Sequence, residues 1–382
     1  MKIVIAPDSF KESMSAAEAA AAIERGVRSV VPEAECVLVP MADGGEGTTD
    51  ALVAALAADT RRVWTVDALG RPIEAAYGLT GDGLAIMEVA AAVGIGQIPP
   101  EQRDIMASSS WGVGDLVLDA LAAGATRLLV GLGGSVTTDG GAGLLTQLGA
   151  RLLDADGGLL PPTPKGLGRL ARVDLDGLDP RVAGLRIDVA CDVTNPLLGP
   201  SGAAAIFGPQ KGATVDQVPV LDAVLARLAD ALVAAGAPEV RDHPGAGAAG
   251  GLGAAFLSLG GRMRRGVDVV AEAAGLEAWV PGADLVMTGE GSIDGQTLAG
   301  KTPAGVAEVA ARHGVPVIAF AGRVGADAGV LLEHGFAAIM AIMSGPADLP
   351  TALEQGPANL EAAAATAMRL YLLREVGERR RG

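Results

Sequence analysis

The chain is poor in the residues on which several common classes of protein depend. Its 382 residues include two cysteines, three histidines and only 3% aromatic side chains. The histidines are scattered and have no Cys or His partners at metal-binding spacing, which argues against a zinc site or a histidine-based catalyst. Cys36 and Cys191 both lie in apolar, strand-like runs. They indicate reduced core thiols in a cytoplasmic protein rather than a disulfide framework.

Clustered positive charge and long apolar runs are also lacking. The net charge is −16, and no basic stripe interleaved with aromatic residues is present, so we expect no nucleic-acid partner. No apolar run reaches the ~18–20 residues that a membrane span requires. The N-terminal residues 1–7 are typical of a first strand and not of a signal peptide. The sequence therefore predicts no membrane partner, and it leaves the oligomeric state open.

Glycine and apolar residues, in contrast, are abundant. The 55 glycines cluster in short loops that follow strand-like runs, where unusual backbone angles or a close ligand would require them. Strand and helix patterns alternate along the chain, which predicts an α/β fold with mainly parallel sheets covered by helices. We predict a discontinuous outer domain of residues 1–95 plus 275–382 and an inserted second domain of residues 96–274.

Residues 288–302 form the most informative segment. They follow an apolar run, residues 283–288, that is typical of a buried strand, and they precede a helix with proline in its first turn. Glu290 and Asp294 could hold a divalent cation, and the backbone N–H groups at the helix start, with Lys301, favour an anion. Carboxylates, lysine and glycine in this order indicate phosphoryl transfer.

The same segment matches the P-loop pattern G-x-x-x-x-G-K-[ST] at residues 295–302. Six residues, 289–294, separate the predicted strand from the first glycine, whereas a P-loop leaves its strand almost at once. The next strand, predicted over residues 316–322, ends without the aspartate that holds magnesium in P-loop enzymes. We therefore expect a phosphate or substrate loop of another kind, with a P-loop kinase or ATPase as an alternative.

Two further loops near the N-terminus follow strand-like runs and carry acids. Asp8 and Lys11 follow the first strand, where an aspartate could accept a hydroxyl proton and a lysine could neutralise phosphate. The second loop opens a helix and is typical of an anion-binding or metal-binding loop; it contains Asp43, Gly44, Gly45 and Glu46. For both loops the alternative is an ordinary capped turn.

Two loops in the middle of the chain have the same character. Gly133, Gly134 and Ser135 suit phosphate, although the dinucleotide spacing G-x-G-x-x-G is not met and no ribose-binding acid follows. Asp192 sits just past a buried strand with Asn195 close by, and would hold a metal, act as a base or satisfy loop amides. Because the carboxyl ends of parallel strands meet at one edge of a sheet, we expect the five loops to converge on one cleft.

The order and the amino-acid sequences of these loops resemble those of the bacterial glycerate kinases of the type-I family. The resemblance spans Met1 to about Leu373, and its motifs are residues 5–11, 42–47, 133–141, 190–199, 207–212, 288–294 and 300–303. It implies phosphorylation of D-glycerate from ATP with Mg²⁺, most often at the 2-hydroxyl. It also implies two α/β domains, one of them flavodoxin-like, and no P-loop fold. Glu12 stands where many relatives have glycine, and Thr138 where many have asparagine.

Combining the loops with the resemblance gives a set of expected roles. The catalytic residues are Asp8, Lys11 and Asp192; the substrate and phosphate ligands are Asp43, Gly44, Gly45, Glu46, Gly133, Gly134, Ser135, Asn195 and Lys301; the magnesium ligands are Asp192, Glu290 and Asp294. Alternatives to a 2-phosphoglycerate product are 3-phosphoglycerate and another small hydroxy acid as substrate. A nicotinamide-dependent dehydrogenase using residues 131–143 and a non-catalytic binding protein for a small carboxylate are alternatives of other classes.

Overall fold

A computed structural model describes residues 1–45 and 47–379 of the chain. Its strands, in chain order, are β1 (Lys2–Ile5), β2 (Glu35–Leu38), β3 (Asp59–Val66), β4 (Pro72–Leu79), β5 (Leu84–Glu88), β6 (Arg127–Gly131), β7 (Arg151–Leu153), β8 (Arg172–Asp174), β9 (Arg186–Ala190), β10 (Arg262–Arg264), β11 (Leu285–Ile293), β12 (Val317–Val324) and β13 (Phe336–Ala341).

Helices cover much of the remaining chain. They are α1 (Ala16–Arg28), α2 (Thr48–Leu56), α3 (Ala90–Val93), α4 (Trp111–Ala122), α5 (Ala142–Gln147), α6 (Pro164–Leu167), α7 (Ala203–Phe207), α8 (Gln217–Ala234), α9 (Leu252–Ser258), α10 (Gly266–Ala273), α11 (Leu276–Trp279), α12 (Thr302–Arg312), α13 (Leu349–Glu354) and α14 (Gly356–Arg379). Within the described ranges, none of these helices combines the length and the apolar character of a membrane span.

The chain divides into two compact units. Unit 1 contains residues 1–43, 50–57 and 267–382, and unit 2 contains residues 44–49 and 58–266. Unit 2 begins earlier than the predicted inserted domain of residues 96–274. The reason is that β5 pairs with β6 in register from Leu84 with Arg127 to Glu88 with Gly131, which places β3–β5 in the sheet of unit 2.

Unit 1 is built on a five-stranded sheet in the order β13-β12-β11-β1-β2, and all of its pairings are parallel. Numbered within the unit, this order is 2-1-3-4-5, the flavodoxin-like order. The core is formed by the buried apolar residues of β1, β11 and β12 with one face each of α1 and α14. Gly26 in α1 is required there, because a Cβ atom at this position would lie 2.3 Å from the carbonyl oxygen of Glu361.

The start of α1 shows how local sequence sets an element of unit 1. The Ser15 side chain accepts a hydrogen bond from the Glu18 backbone N–H at 3.2 Å, and the Glu18 carboxylate accepts one from the Ser15 N–H at 2.8 Å. This is the reciprocal capping box that the sequence predicts, and it satisfies two of the backbone donors that a helix start exposes.

Unit 2 is built on a six-stranded mixed sheet in the order β10-β9-β6-β5-β4-β3, beside a two-stranded sheet of β7 and β8. The pairings from β10 to β5 are parallel, and β3, β4 and β5 form the antiparallel part. Both units thus have parallel strands whose carboxyl ends lie side by side within their own sheet.

The strand before the P-loop-like pattern is longer than predicted. β11 runs to Ile293, since its pairing with β12 continues from Glu290 with Ala321 to Ile293 with Val324. The six-residue separation expected from the sequence is therefore wrong, because Asp294 alone stands between the strand and Gly295. The conclusion that this is not a P-loop fold is nevertheless confirmed, because unit 1 has the flavodoxin-like strand order.

Candidate active site

In unit 1 the candidate residues gather where the strand order reverses. β2 lies on one side of β1 and β11 on the other, and ligands of open α/β sheets bind at the carboxyl ends of strands at such a point. Asp8 follows β1, and its backbone N–H donates to the carbonyl oxygen of Gly289 in β11 at 2.8 Å. Gly289 has to be small, because a Cβ atom there would lie 2.6 Å from the Phe320 carbonyl oxygen. This close packing places Glu290 beside Asp8 at the switch point.

Asp8 is a half-buried carboxylate held by two donors. Its Oδ1 accepts the N–H of Ser9 at 2.6 Å, and its Oδ2 accepts the hydroxyl of Thr302 at 2.5 Å. Burial raises the pKa of Asp8 to about 7, and the negative charges of Asp43 and Glu290 act in the same direction. The two hydrogen bonds act in the opposite direction but are outweighed. A carboxyl that titrates near neutral pH at this position is suited to accept a proton from a hydroxyl.

Glu290 forms the second part of the unit 1 group. Its side chain accepts the hydroxyl of Thr297 at 3.0 Å and lies 3.3 Å from Nζ of Lys301. Burial raises the pKa of Glu290, although Lys301 and the Thr297 hydrogen bond oppose the shift. Lys301 also donates to the carbonyl oxygen of Ser292 at 3.2 Å and keeps about a third of its side chain exposed. A partly exposed ammonium is thus held beside the acids.

Residues 295–299 form a 3₁₀ turn rather than a phosphate cradle. The Asp294 carboxylate accepts the N–H of Gln296 at 3.0 Å, and the Thr297 N–H donates to the Asp294 carbonyl oxygen at 3.0 Å. The Lys301 N–H donates to the Thr297 carbonyl oxygen at 3.3 Å. These three N–H groups are used inside the turn, so the segment does not wrap an anion as a P-loop does. Asp294 itself has a structural role as the cap of this turn.

The loop after Asp8 carries Lys11 on an unusual backbone. Lys11 is exposed, and the next residue, Glu12, has a left-handed φ of 63°. Glycine adopts this conformation without steric cost, whereas a glutamate in it carries local strain. The departure at Glu12 therefore changes the local strain and leaves the lysine in place.

In unit 2 the glycine-rich segment at residues 44–49 lies at the carboxyl ends of three parallel strands. The Thr49 N–H donates to the Glu88 carboxylate at the end of β5 at 2.8 Å. A Cβ atom at Gly131, the last residue of β6, would lie 2.7 Å from the Gly44 carbonyl oxygen, and one at Gly44 would lie 2.9 Å from Cβ of Ala190 in β9. Gly44 and Gly45 are thus at the predicted edge, and Glu46 lies outside the described residues.

The loop after β6 in unit 2 is backed by a buried lysine. Gly134 is exposed with a φ of +70°, whereas Ser135 is buried. Nζ of Lys211, which is 2% exposed, donates to Oγ of Ser135 at 3.0 Å and to the Thr137 carbonyl oxygen at 2.8 Å. Burial lowers the pKa of Lys211 to about 7, while Asp139 opposes this shift. The predicted anion loop therefore has a cation directly beneath it.

Asp139 has a structural role behind this loop. It is fully buried and accepts the N–H and hydroxyl of Ser110 at 2.7 and 2.8 Å. It also accepts the N–H groups of Gly141 and Gly143 at 3.1 and 3.0 Å, which fixes the start of α5. Burial raises its pKa despite these bonds.

Asp192 and Asn195 lie on the loop after β9. Asp192 is exposed, and its Oδ1 accepts the N–H of Gly266 at 3.0 Å. The Asn195 side chain donates to the Ser201 carbonyl oxygen at 2.8 Å. Asn195 therefore shapes its own loop, and Asp192 is the more accessible of the two side chains.

The three carboxylates expected to bind magnesium are divided between the two units, and the two in unit 1 are already engaged by neighbouring groups. Glu290 is bonded to Thr297 and paired with Lys301, Asp294 caps a turn, and Asp192 belongs to unit 2. Across residues 1–45 and 47–379, no three His, Cys, Asp or Glu side chains are gathered in a way that would hold a metal ion. The assignment of Asp192, Glu290 and Asp294 to magnesium therefore stays a prediction, and no catalytic step is assigned to the ion.

Sequence reasoning missed several residues of the two groups. Thr302 and Thr297 bond to Asp8 and Glu290, and Glu88 bonds to the 44–49 segment. Lys211 lies in the motif of residues 207–212, so its position was visible but its contact with the 133–137 loop was not. Thr302 is adjacent to Lys301 in the pattern already noted, but its bond to Asp8 joins residues 294 positions apart.

The environment of Asp8 leads to a prediction about stability. The raised pKa means that the folded protein binds this proton more tightly than the unfolded chain, whose aspartate pKa is about 3.9. The contribution of Asp8 to stability is therefore complete below about pH 4 and is lost as pH rises towards 7. Because the folded and unfolded pKa values differ by about 3, we expect Asp8→Asn to gain about 4 kcal/mol in the free energy of unfolding relative to the wild type between pH 4 and pH 8.

Urea unfolding of both proteins at the two pH values measures this change. Asp50→Asn, which alters an exposed aspartate of α2, is the matched control and should show no such trend. An Asp8→Asn protein whose relative stability stays constant or falls with rising pH would contradict the assigned environment.

The chain is similar to known glycerate kinases along nearly its whole length. The profile of the glycerate kinase family matches residues 3–372. A protein of Bacillus subtilis (strain 168) named glycerate kinase is 48% identical over 363 residues, covering 94% of this chain and 95% of that one. A protein of Escherichia coli (strain K12) named glycerate 2-kinase is 47% identical over 346 residues, covering 90% and 91%.

A solved structure is similar in both sequence and fold. It is a crystal structure from Salmonella typhimurium LT2 whose protein is named as a candidate glycerate kinase 2. It superposes with a TM-score of 0.90 at 45% identity, covering 98% of this chain and 99% of that one. The fold of two α/β units is therefore shared with that structure.

Proposed function

The chain belongs to the glycerate kinase family and is a glycerate kinase, and we propose that it transfers the γ-phosphoryl group of ATP to the 2-hydroxyl of D-glycerate to give 2-phosphoglycerate. The family and the enzyme class follow from the profile match and from the relatives at 44–48% identity. The donor, the position of transfer and the roles of individual residues are the proposal. The cytoplasmic location expected from the sequence also stays a prediction.

The observation that carries the proposal is the environment of Asp8. A base works best when its pKa lies near the working pH, and the pKa of Asp8 is raised to about 7. In the proposed step, the glycerate hydroxyl oxygen forms a bond to the γ-phosphorus while the bond from that phosphorus to the bridging oxygen breaks. Asp8 takes the hydroxyl proton, and ADP leaves with the electron pair of the broken bond.

Thr302 and Ser9 orient the Asp8 carboxylate for this role. The hydroxyl of Thr302 and the N–H of Ser9 donate to different carboxylate oxygens, which fixes the plane of the group. Because a carboxylate oxygen has more than one lone pair, each oxygen can still accept a further proton. Asp43 acts through charge, since it raises the pKa of Asp8.

Positive charge in this reaction is assigned to lysines. Phosphoryl transfer needs positioning and charge neutralisation more than covalent chemistry. Lys301, held next to Glu290 with part of its side chain exposed, neutralises a phosphate or the glycerate carboxylate. Lys11, exposed on the loop after Asp8, serves the same purpose. The N–H groups of Gly133 and Gly134 and the hydroxyl of Ser135 bind phosphate oxygens.

Magnesium is proposed to enter as the counter-ion of the ATP phosphates. In kinases this ion is bound by one or two carboxylates together with substrate phosphates, so it needs no cage of protein ligands. Asp192 is the most exposed of the three carboxylates considered for it. When bound, the ion supplies charge neutralisation on the transferring phosphoryl group.

Coupled ADP release with a panel of hydroxy acids tests the proposal. We expect rapid ADP release with ATP and D-glycerate, and at least about 100-fold slower release with L-glycerate, D-lactate or water, since a correctly placed acceptor and base contribute factors of this size. ATP hydrolysis at the same rate without an acceptor would favour an ATPase. Binding of glycerate without turnover would favour a binding protein.

A further inference from the structure

The loop of residues 133–137 is fixed by contacts that surround it within unit 2. The Gly134 carbonyl oxygen accepts the N–H of Ile95 at 2.7 Å, and the N–H of Val136 donates to Val93 at 2.9 Å. These bonds hold the loop from the side of residues 93–95. They leave Gly134 exposed, with its φ of +70°, at the outer surface of the loop.

On the inner side, the loop rests on Lys211. The ammonium donates to Oγ of Ser135 at 3.0 Å and to the Thr137 carbonyl oxygen at 2.8 Å. The backbone around Lys211 is anchored independently, because Arg103 donates to the Gln210 carbonyl oxygen at 2.9 Å. Arg103 also donates to the Ile95 carbonyl oxygen at 3.1 Å. Arg103 thus connects the backbone next to Lys211 with residue 95, which holds the loop from the other side.

Two hydrogen-bond donors remain unused at this place. A lysine ammonium has three N–H donors, and Ser135 and Thr137 are the two acceptors of Lys211 within the described part of the chain. The hydroxyl of Ser135 accepts from the ammonium, so its own O–H has to donate elsewhere. Among residues 1–45 and 47–379, the side-chain hydrogen bond of Ser135 is the one that it accepts from Lys211. A buried ammonium with an unused donor beside a buried hydroxyl with an unused donor is costly unless an acceptor completes the pair.

We propose that Lys211 is the positioning residue of the anion loop, and that it orients the Ser135 hydroxyl to donate to a phosphate oxygen of the nucleotide. One lone pair of the Ser135 oxygen accepts from the ammonium, which aims the O–H away from Lys211. The charge of Lys211 also strengthens that O–H as a donor, since hydrogen bonds that involve charged groups are stronger than neutral ones. The inference rests on the proposed function, because it supplies the chemistry of the anion.

The charge state of Lys211 is consistent with an anion nearby. Asp139 is the acidic group whose charge acts on the ammonium, and burial lowers the pKa of Lys211 to about 7. A bound phosphate would add a second negative charge and favour the protonated form. The lysine is therefore best able to hold its proton when the loop is occupied.

Binding of the non-hydrolysable ATP analogue AMP-PNP, measured by calorimetry, tests the proposal without turnover. We expect Lys211→Met and Ser135→Ala each to weaken AMP-PNP about 10-fold, a loss in the range for a hydrogen bond to a charged group. The double variant should be no more than about threefold weaker than Lys211→Met, because the lysine acts through the serine. The affinity for D-glycerate should stay within about threefold in all three variants.

Lys165→Met is the matched control, since Lys165 is an exposed lysine of unit 2 on α6. It should bind both ligands as the wild type does. Methionine is close in length to lysine and neutral, and Ser135→Ala keeps the buried cation, so a folding failure of one variant leaves the other to decide the question.

Several results would overturn the inference. They are an unchanged AMP-PNP affinity in Ser135→Ala, fully additive effects in the double variant, or a loss of glycerate affinity with AMP-PNP unaffected. The last result would assign the loop to the carboxylate. If the wild type itself neither binds AMP-PNP nor releases ADP with glycerate, the proposed function fails. If it does both and the variants bind as it does, the inference alone fails.

Discussion

Asp8→Asn is expected to lower kcat by at least about 100-fold with D-glycerate, since general base catalysis contributes roughly 10²–10⁴-fold. Asparagine can still accept the hydrogen bond from the Ser9 N–H and form a hydrogen bond with the Thr302 hydroxyl, so the loop geometry should persist. It cannot, however, take the proton of the glycerate hydroxyl. Nucleotide affinity should change by less than about threefold, because the residue acts in the transition state. Steady-state kinetics with ATP and D-glycerate, paired with AMP-PNP binding, measure both quantities.

The pH profile gives an independent check on this role. The base has to be ionised, so kcat/KM of the wild type should fall on the acid side as pH drops through about 7. Asp50→Asn is again the control and should match the wild type in rate and profile. A near-normal kcat in Asp8→Asn, or a loss of ATP binding, would move the role elsewhere, with Asp192 as the next candidate.

Lys301→Met is expected to lower kcat/KM about 100-fold, a loss typical of a hydrogen bond between charged groups. The ammonium is partly exposed beside Glu290, where it can reach a phosphate or carboxylate as well as its protein partner. Removal of the lysine also leaves Glu290 as a buried carboxylate without its cation, which raises its pKa further. The comparison of Lys301→Met with Lys165→Met separates this effect from the loss of any surface charge.

The double variant Lys301→Met with Glu290→Gln distinguishes substrate binding from ion pairing. If Lys301 contacts the substrate, the double variant stays as impaired as Lys301→Met. If the lysine only balances Glu290, neutralising that acid should restore kcat/KM to within about threefold of the wild type. The second outcome would contradict the assigned role.

Elements governed by local chemistry could be predicted from the sequence. Ser15 and Glu18 complete a capping box within four residues, and α1 begins where this pattern predicts. α2 follows the loop of residues 43–46 as predicted, and the alternation of strands and helices correctly indicated parallel sheets. These features depend on neighbours a few positions away, which the sequence displays directly.

Features that depend on distant partners could not be predicted. β11 continues through Gly289 and Glu290 because β12 offers a parallel partner about 30 residues later, and glycine and acidic residues alone suggest a turn. β5 belongs to unit 2 for the same reason, since its partner is β6 and not a strand of unit 1. Pairing across the sheet outweighed local propensity in both cases.

The candidate site shows the same division. Asp8, Glu290, Lys301 and the loop of residues 133–135 were named because acids, lysine and glycine follow strand-like runs. The residues that donate hydrogen bonds to these groups were not named, because Thr302 contacts Asp8 and Lys211 contacts Ser135 only in the folded chain. The prediction that the loops of both units share one cleft stays a prediction.

NMR of the reaction product shows directly whether the protein phosphorylates D-glycerate at its 2-hydroxyl with ATP. In a ³¹P spectrum with coupling to protons, a phosphoryl group on the 2-oxygen couples to the single proton on C2, and one on the 3-oxygen couples to the two protons on C3. We expect a doublet from 2-phosphoglycerate that grows in step with ADP. A triplet-like signal from 3-phosphoglycerate, or inorganic phosphate as the sole product beside ADP, would contradict it.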